Sequence, residues 1–277
     1  MRKLSLALLG GLLVFLTSAT AVRAAEAERK EGQPTLWLVG DSTMRNGTKG
    51  QVGWGDPFIP LFDEGKVRVI NRAIGGRSSR TFITEGRWDA VLMDAKPGDF
   101  VLIQMGQNDG GALAGDNRER GSIKGLGDET KDVTLTLGDN KDKPYTVHTY
   151  GWYMTKYVQD AKAAGMTPIV LSLTPRGPKP GDKIDPNPEP TGYRLWAKQV
   201  AEKEGVAFID LYQIIWSKYV TMTPEDIKAK LFTEADNLHT SADGAKFNAE
   251  CAAEGLKTLK DVPLAGFLKP AAPTTQP

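Results

Sequence analysis

Short apolar runs of β type alternate with amphipathic helical stretches along most of the chain, and this alternation constrains the fold more than any other feature. Strands separated by helices pair in parallel, and a parallel sheet has to be covered on both faces. Thr35 to Val39, Val67 to Ile70, Asp99 to Met105, Thr167 to Leu173 and Ala207 to Ile209 are mostly rich in Val, Ile or Leu and are bounded by Gly, Pro, Asp or Asn, which predicts five strands. Helical spacing of about 3.6 residues is clearest at Tyr150, Met154, Tyr157, Val158 and Ala161, at Tyr193, Trp196, Ala197, Val200 and Ala201, and at Ala245, Ala249, Ala252, Leu256 and Leu259. The aromatic residues in these stretches are read as core-facing. With 277 residues, 40% of them hydrophobic, the chain is long enough to bury one substantial α/β core. It shows no internal repeat, so a single domain over residues 35–262 is expected.

The two ends read differently. Arg2 and Lys3 precede an apolar run from Leu4 to Leu16, and small residues follow at Ser18, Ala19, Ala21 and Ala24. That is the layout of a secretory signal peptide, 1–24, and the run is shorter than the roughly 20 residues a membrane-spanning helix needs. A secreted or periplasmic protein without stable membrane association is expected. Residues 269–277, KPAAPTTQP, have no apolar period and read as a flexible tail.

Charge and metal-ligand counts narrow the chemistry. Lys plus Arg is 35 against Asp plus Glu 34, so no net field gathers nucleic acid or an anionic membrane. The single cysteine, Cys251, cannot close an intramolecular disulfide; inside an amphipathic helix it reads as a small structural side chain. Two histidines, His148 and His239, cannot assemble a three-His or Cys/His zinc site, neither stands in H-E-x-x-H, and no Walker A or G-x-G-x-x-G string follows the first strand. No metal and no cofactor is expected.

Two connections exceed what a compact fold needs: Gly110 to about His148, and Pro175 to Gly192, which holds six prolines. Both follow the carboxyl ends of strands, the side on which open parallel sheets bind ligands, so both are expected to form a substrate rim. Within the first, Val133, Leu135 and Leu137 alternate ahead of Gly138, Asp139 and Asn140, which fits a small β excursion.

The first strand ends LWLVGDST, which puts Ser42 at the sheet's carboxyl edge, with Gly40 allowing a tight turn. A serine hydroxyl is nearly inert alone; it needs a base within hydrogen-bond reach and donors for the oxyanion that forms on attack. Of the two histidines, His239 has Asp236 three positions earlier in DNLHTS, close enough for the carboxylate to fold back onto the imidazole and fix its tautomer. His148, in VHTYGWY ahead of a helix, is read as a packing or surface residue. Backbone N–H at Gly76, in NRAIGGRSSR, and the Asn108 amide, in MGQND, are candidate oxyanion donors. Trp54 in VGWGD and Arg77 beside Gly76 are candidate sugar or uronate contacts. Asn46-Gly47-Thr48 fits a glycosylation sequon close to Ser42.

Taken together, these blocks resemble the SGNH, or GDSL, hydrolase superfamily, with Ser42 in the first, Gly76 in the second, Asn108 in the third, and Asp236 and His239 in the last. GDSTM, the N-x-A-x-x-G-R-S pattern of Asn71 to Ser78, EGRWD, GQND, HTYGWY and D-x-x-H-T-S are similar, within it, to the rhamnogalacturonan acetylesterase family of carbohydrate esterases, over about Leu36 to Leu259. The resemblance implies a flavodoxin-like three-layer α/β/α sandwich with a five-stranded parallel sheet, and deacetylation of plant cell-wall pectin without metal or organic cofactor. It implies Ser42 as nucleophile, His239 as base, Asp236 as its orienting group, and an oxyanion hole made by Ser42, Gly76 and Asn108.

The expected partner is an acetylated polysaccharide or oligosaccharide, met by a monomer. Neighbouring chemistries are an esterase acting on other acetylated sugars or on lipid or acyl esters, distinguished by acyl-chain preference, and a noncatalytic α/β binding module, distinguished by failure to react with a covalent serine probe.

Overall fold

The computed structural model describes residues 29–138 and 141–270. The signal-peptide reading, 1–24, lies outside the described residues, as do Asp139, Asn140 and residues 271–277 of the tail. The chain divides into Met1–Glu31 and Gly32–Pro277, and all elements named below belong to the second unit.

Five parallel strands, β1 (Thr35–Gly40), β2 (Arg68–Asn71), β3 (Phe100–Gln104), β6 (Thr167–Leu171) and β7 (Ala207–Ile209), form one sheet in the order β2-β1-β3-β6-β7. β4 (Lys131–Thr134) and β5 (Pro144–Val147) pair antiparallel as a separate hairpin, the excursion expected in the first long connection. Pairing extends past β4, since the Leu135 N–H donates to the Lys143 carbonyl at 3.3 Å.

Strand alternation sends successive side chains of the sheet into two cores. Leu36 and Leu38 of β1, Leu102, Ile169, Leu171 and Ile209 pack on one face with Phe58 of α1 (Gly55–Phe58), Ile215 of α6 (Leu211–Tyr219), Ile227 of α7 (Pro224–Leu231), and Ala249 and Leu256 of α8 (Ala242–Lys257). Trp37 and Val39, with Val101, Ile103 and Val170, pack on the other with Phe82 of α2 (Ser79–Thr84), Trp88 of α3 (Arg87–Asp94), Tyr157 of α4 (Tyr150–Ala163) and Val200 of α5 (Gly192–Glu204). The result is an α/β/α sandwich, and it explains why the strand sequences are apolar throughout rather than alternating. Cys251 is buried in the first core, where burial pushes its thiol up to about 12, so it is a packing residue.

The sequence boundaries differ from the structure at strand ends, and Asp99 shows why. It lies just before β3, fully buried, and its carboxylate accepts from the Thr35 N–H at 2.8 Å, the Trp37 indole at 3.1 Å and the Lys96 N–H at 3.0 Å. This holds the amino ends of β1 and β3 together, away from the edge where the site forms.

Candidate active site

The site is assembled on the carboxyl edge of β1 and β3. After Gly40 the chain leaves the sheet in a tight turn in which the Asp41 carboxylate accepts the Thr43 N–H and hydroxyl, both at 2.8 Å, and the Asp41 carbonyl accepts the Arg45 N–H at 2.9 Å. Gly40 is needed for space: a Cβ there would meet Met44 Sδ at 2.9 Å and the Gln104 carbonyl at 3.1 Å. This turn carries Ser42. Its Oγ lies 2.9 Å from His239 Nε2, although the two are 197 positions apart, and His239 Nδ1 lies 2.7 Å from Asp236 Oδ2. The same carboxylate accepts the Leu238 and His239 N–H groups at 2.8 and 2.7 Å through Oδ1. Burial alone would raise the Asp236 carboxyl, but the His239 N–H, the imidazole and the Leu238 N–H outweigh it and hold it at about 2, so it is ionised at any ordinary pH.

The segment bearing Asp236 and His239 is closed on itself before α8. Phe232 and Thr240 form an antiparallel bridge, the Thr233 N–H reaches the His239 carbonyl at 3.2 Å, and the Lys228 ammonium of α7 donates to the Thr233 carbonyl and, at 2.8 Å, to the Asp236 carbonyl. Lys228 was not legible in the sequence as a site residue, because α7 has only eight residues and a lysine in its last turn is ordinary.

Gly76 and Asn108 meet Ser42 and His239 in one cleft of about 790 Å³, in the size range of small-ligand sites. Gly76 is glycine because its backbone is left-handed, φ +79°; a Cβ would meet only Arg120 Nη1, at 3.7 Å, so conformation rather than crowding sets the requirement. The Asn108 amide donates to the Arg77 carbonyl at 2.8 Å, which fixes its plane and leaves its second N–H without a partner among the described residues. The N–H groups of Ser42 and Gly76 have no partner among the described residues. Behind these donors, Asp109 is fully buried and accepts from the Ser79 N–H at 3.1 Å, the Ser79 hydroxyl and the Ser122 hydroxyl at 3.0 Å. Desolvation pushes its carboxyl up to about 6 despite these bonds, and the buried Asp41 carboxyl, likewise raised chiefly by desolvation, adds to the rise.

Arg77 lines the cleft, as the sequence suggested. Trp54 does not: it is fully buried, packed edge-on against Phe58 at 5.2 Å, with its indole N–H bonded to Gln104 Oε1 at 2.9 Å. The expected sugar contact at Trp54 is therefore corrected to a core role. His148 stacks on Trp152 at 3.9 Å, in keeping with a packing residue. Asn46, Gly47 and Thr48 of the sequon lie on the cleft's rim.

Both long connections reach the cleft, and they bring residues that sequence reasoning passed over. Arg118 and Arg120 come from the first and Arg176 from the second, so with Arg77 four arginines face one carboxylate, Glu85, which is already bonded to Arg77 at 2.9 Å. Arg118 and Arg176 form no ion pair among the described residues. The N-R-E-R run at 117–120 was a visible signal, but only the folded loop shows that it turns inward. No cluster of three or more His, Cys, Asp or Glu able to hold a metal ion exists among the described residues, and no helix there is long and apolar enough to cross a membrane.

The chain is 31% identical over 238 residues to a protein of Emericella nidulans named rhamnogalacturonan acetylesterase, covering 86% of this chain and 88% of the relative. It is also 31% identical over 234 residues to a Bacillus subtilis protein named probable rhamnogalacturonan acetylesterase, covering 81% and 93%. Among solved structures, YxiM of Bacillus subtilis superposes with a TM-score of 0.63 at 24% identity, over 82% of this chain and 56% of that one. A variant of an acetyl xylan esterase from Geobacillus stearothermophilus gives 0.52 at 19% identity, over 86% and 97%. Residues 38–247 match the sequence model of the GDSL-like lipase/acylhydrolase family, and with these relatives they show that the chain belongs to that family.

Proposed function

We propose that the protein is a serine esterase that removes acetyl groups from plant cell-wall polysaccharide, with acetylated rhamnogalacturonan as the polymer. The single observation that carries this reading is the relay of Ser42 Oγ, His239 and Asp236 at 2.9 and 2.7 Å beside unspent N–H donors. Ser42 Oγ attacks the acetyl carbonyl carbon while His239 Nε2 takes the hydroxyl proton; Asp236 holds the Nδ1–H and stabilises the imidazolium. The carbonyl oxygen becomes an oxyanion held by the Ser42 and Gly76 N–H groups and the Asn108 amide. Collapse breaks the bond to the sugar oxygen, which leaves with the proton from Nε2. Water, deprotonated by the same imidazole, then cleaves the acetyl-serine and releases acetate.

The names of the curated relatives support the substrate class, and the four cleft arginines favour a polymer carrying carboxylates over a neutral one such as xylan. In the same reading residues 1–24 direct export to the compartment where such polymers are met. Acetate release from acetylated pectin, acetylated xylan and aryl esters of increasing acyl length tests the whole reading. Release from acetylated pectin and short acyl esters, abolished in Ser42→Ala, is expected. Preference for long acyl chains, or for acetylated xylan over pectin, would overturn the substrate assignment, and a Ser42→Ala enzyme of near wild-type activity would overturn the mechanism.

A further inference from the structure

The cleft at Ser42 is not the end of the groove. A second cavity of about 480 Å³ lies between α2, the start of α3 and the β4–β5 hairpin, and it shares Arg77, Thr81, Glu85, Arg118, Leu137 and Gly138 with the catalytic cleft as common wall. To these it adds two arginines and an aromatic ring, Arg80, Arg87 and Tyr145, along with Thr84, Glu119 and Leu135.

The charges there do not cancel. Glu119 is committed, accepting the Gly115, Thr136 and Leu137 N–H groups and the Thr136 hydroxyl, all within 3.1 Å, and Glu85 is held between Arg77 at 2.9 Å and Arg87 at 3.5 Å. Arg80 is only 2% exposed and donates to two peptide carbonyls, those of Leu113 and Glu119, rather than to a carboxylate. Its Nη1 has no acceptor among the described residues. A buried guanidinium nitrogen without an acceptor is costly unless something else supplies one. The Arg80 guanidinium lies 5.6 Å from the centre of the Tyr145 ring, so cation and aromatic surface stand in one wall.

We infer that this second cavity is a binding subsite for a carboxylate-bearing sugar unit of the same polysaccharide, the next uronate along the chain from the unit deacetylated at Ser42. The arginines would take the uronate carboxylate and Tyr145 the sugar's apolar face, so that the protein grips a polymer across two sites joined by the shared wall. The inference rests on the acidic-polysaccharide reading above and adds to it a requirement for chain length.

Rhamnogalacturonan oligosaccharides stripped of acetyl groups offer the relay no acetyl ester to cleave, so calorimetric titration of the full chain isolates binding. The hexamer is expected to bind at least about tenfold more tightly than the dimer, with xylohexaose showing no such binding, and the advantage should shrink between 20 and 200 mM salt. Arg87 lines only the second cavity and sits, half-exposed, in the first turn of α3, where a glutamate is well tolerated. Arg87→Glu should lower the hexamer's affinity to that of the dimer while the unfolding temperature falls only slightly, because the exposed pair with Glu85 that it removes is worth little, and Arg87→Lys should restore most of the affinity. Equal binding of dimer and hexamer by the wild type, or a length advantage that survives Arg87→Glu, overturns the inference. Neither result touches acetate release from pectin, whose loss would overturn the functional reading instead.

Discussion

Thr240 and Val52 are joined by two reciprocal hydrogen bonds: the Thr240 hydroxyl donates to the Val52 carbonyl at 2.7 Å, and the Val52 N–H donates to the Thr240 carbonyl at 3.0 Å. One partner follows His239 directly and the other lies ten residues beyond Ser42, so this pair ties together the two segments whose side chains must meet at 2.9 Å. Thr240 is 5% exposed. Replacing it by valine keeps the shape and leaves the Val52 carbonyl short of a donor, at a cost of about 1–3 kcal/mol. Thr240→Val should therefore unfold at a lower temperature and lose turnover on an aryl acetate by about tenfold while KM stays within twofold. Unchanged turnover would mean that the Ser42–His239 distance is held elsewhere.

Ser42 and Asn108 separate nucleophile from donor. Loss of the hydroxyl in Ser42→Ala should abolish acetate release and reaction with a covalent serine probe. Asn108→Ala removes one of three proposed oxyanion donors and should cost about 10²- to 10³-fold in turnover while leaving probe labelling detectable. Equal losses in the two variants, measured with one aryl acetate, would contradict the separate roles.

Much of this was readable from the chain, and the reasons differ by residue. β7 is legible because an apolar run between glycine and aspartate has few alternatives, and Ser42, Gly76, Asn108, Asp236 and His239 stand out because each falls in a short block, at a strand's carboxyl end or a turn, that resembles the hydrolase superfamily. Helices α2 and α3 were not picked out, since six and eight residues give too few turns for a period to show. Trp54 was misread because an indole near a nucleophile looks the same in sequence whether it faces a cleft or Gln104. Arg118, Arg176 and Lys228 act from loops or a short helix, where no period reports which way a side chain points.

Asp236 offers a test of tautomer control. With its carboxylate bonded to Nδ1 and to two backbone N–H groups, Asp236→Asn keeps the size but reverses the polarity toward the imidazole. Turnover should fall by about 10⁴-fold, as expected when the base is held in the wrong tautomer. The wild-type carboxyl sits at about 2 rather than its ordinary 3.8, so its contribution to stability is present above pH 4 and is lost as the pH falls toward 2. The difference in unfolding temperature between wild type and Asp236→Asn should thus narrow below pH 4; a difference that widens there would rule out this ionised, bonded state.

Asp109 has the opposite sign. Its carboxyl is raised from 3.8 to about 6 by burial, so the folded protein holds this proton more tightly than the unfolded chain does. The stabilisation is complete below pH 4 and is lost as the pH rises through 6, where an ionised carboxylate is left in a buried site shared with Asp41. Asp109→Asn cannot ionise, and its carbonyl can still accept from Ser79 and Ser122. The variant should be less stable than wild type at pH 4, gain on it up to about pH 6 and keep a constant difference above that, as read from unfolding temperatures at half-unit intervals. Because Asp109 lies beside Asn108 and holds Ser79, two residues after Arg77, whose carbonyl orients the Asn108 amide, turnover in the variant should fall less than tenfold and without a change in KM. A gap in stability that stays constant from pH 4 to 7 would show that Asp109 does not change its protonation over that range.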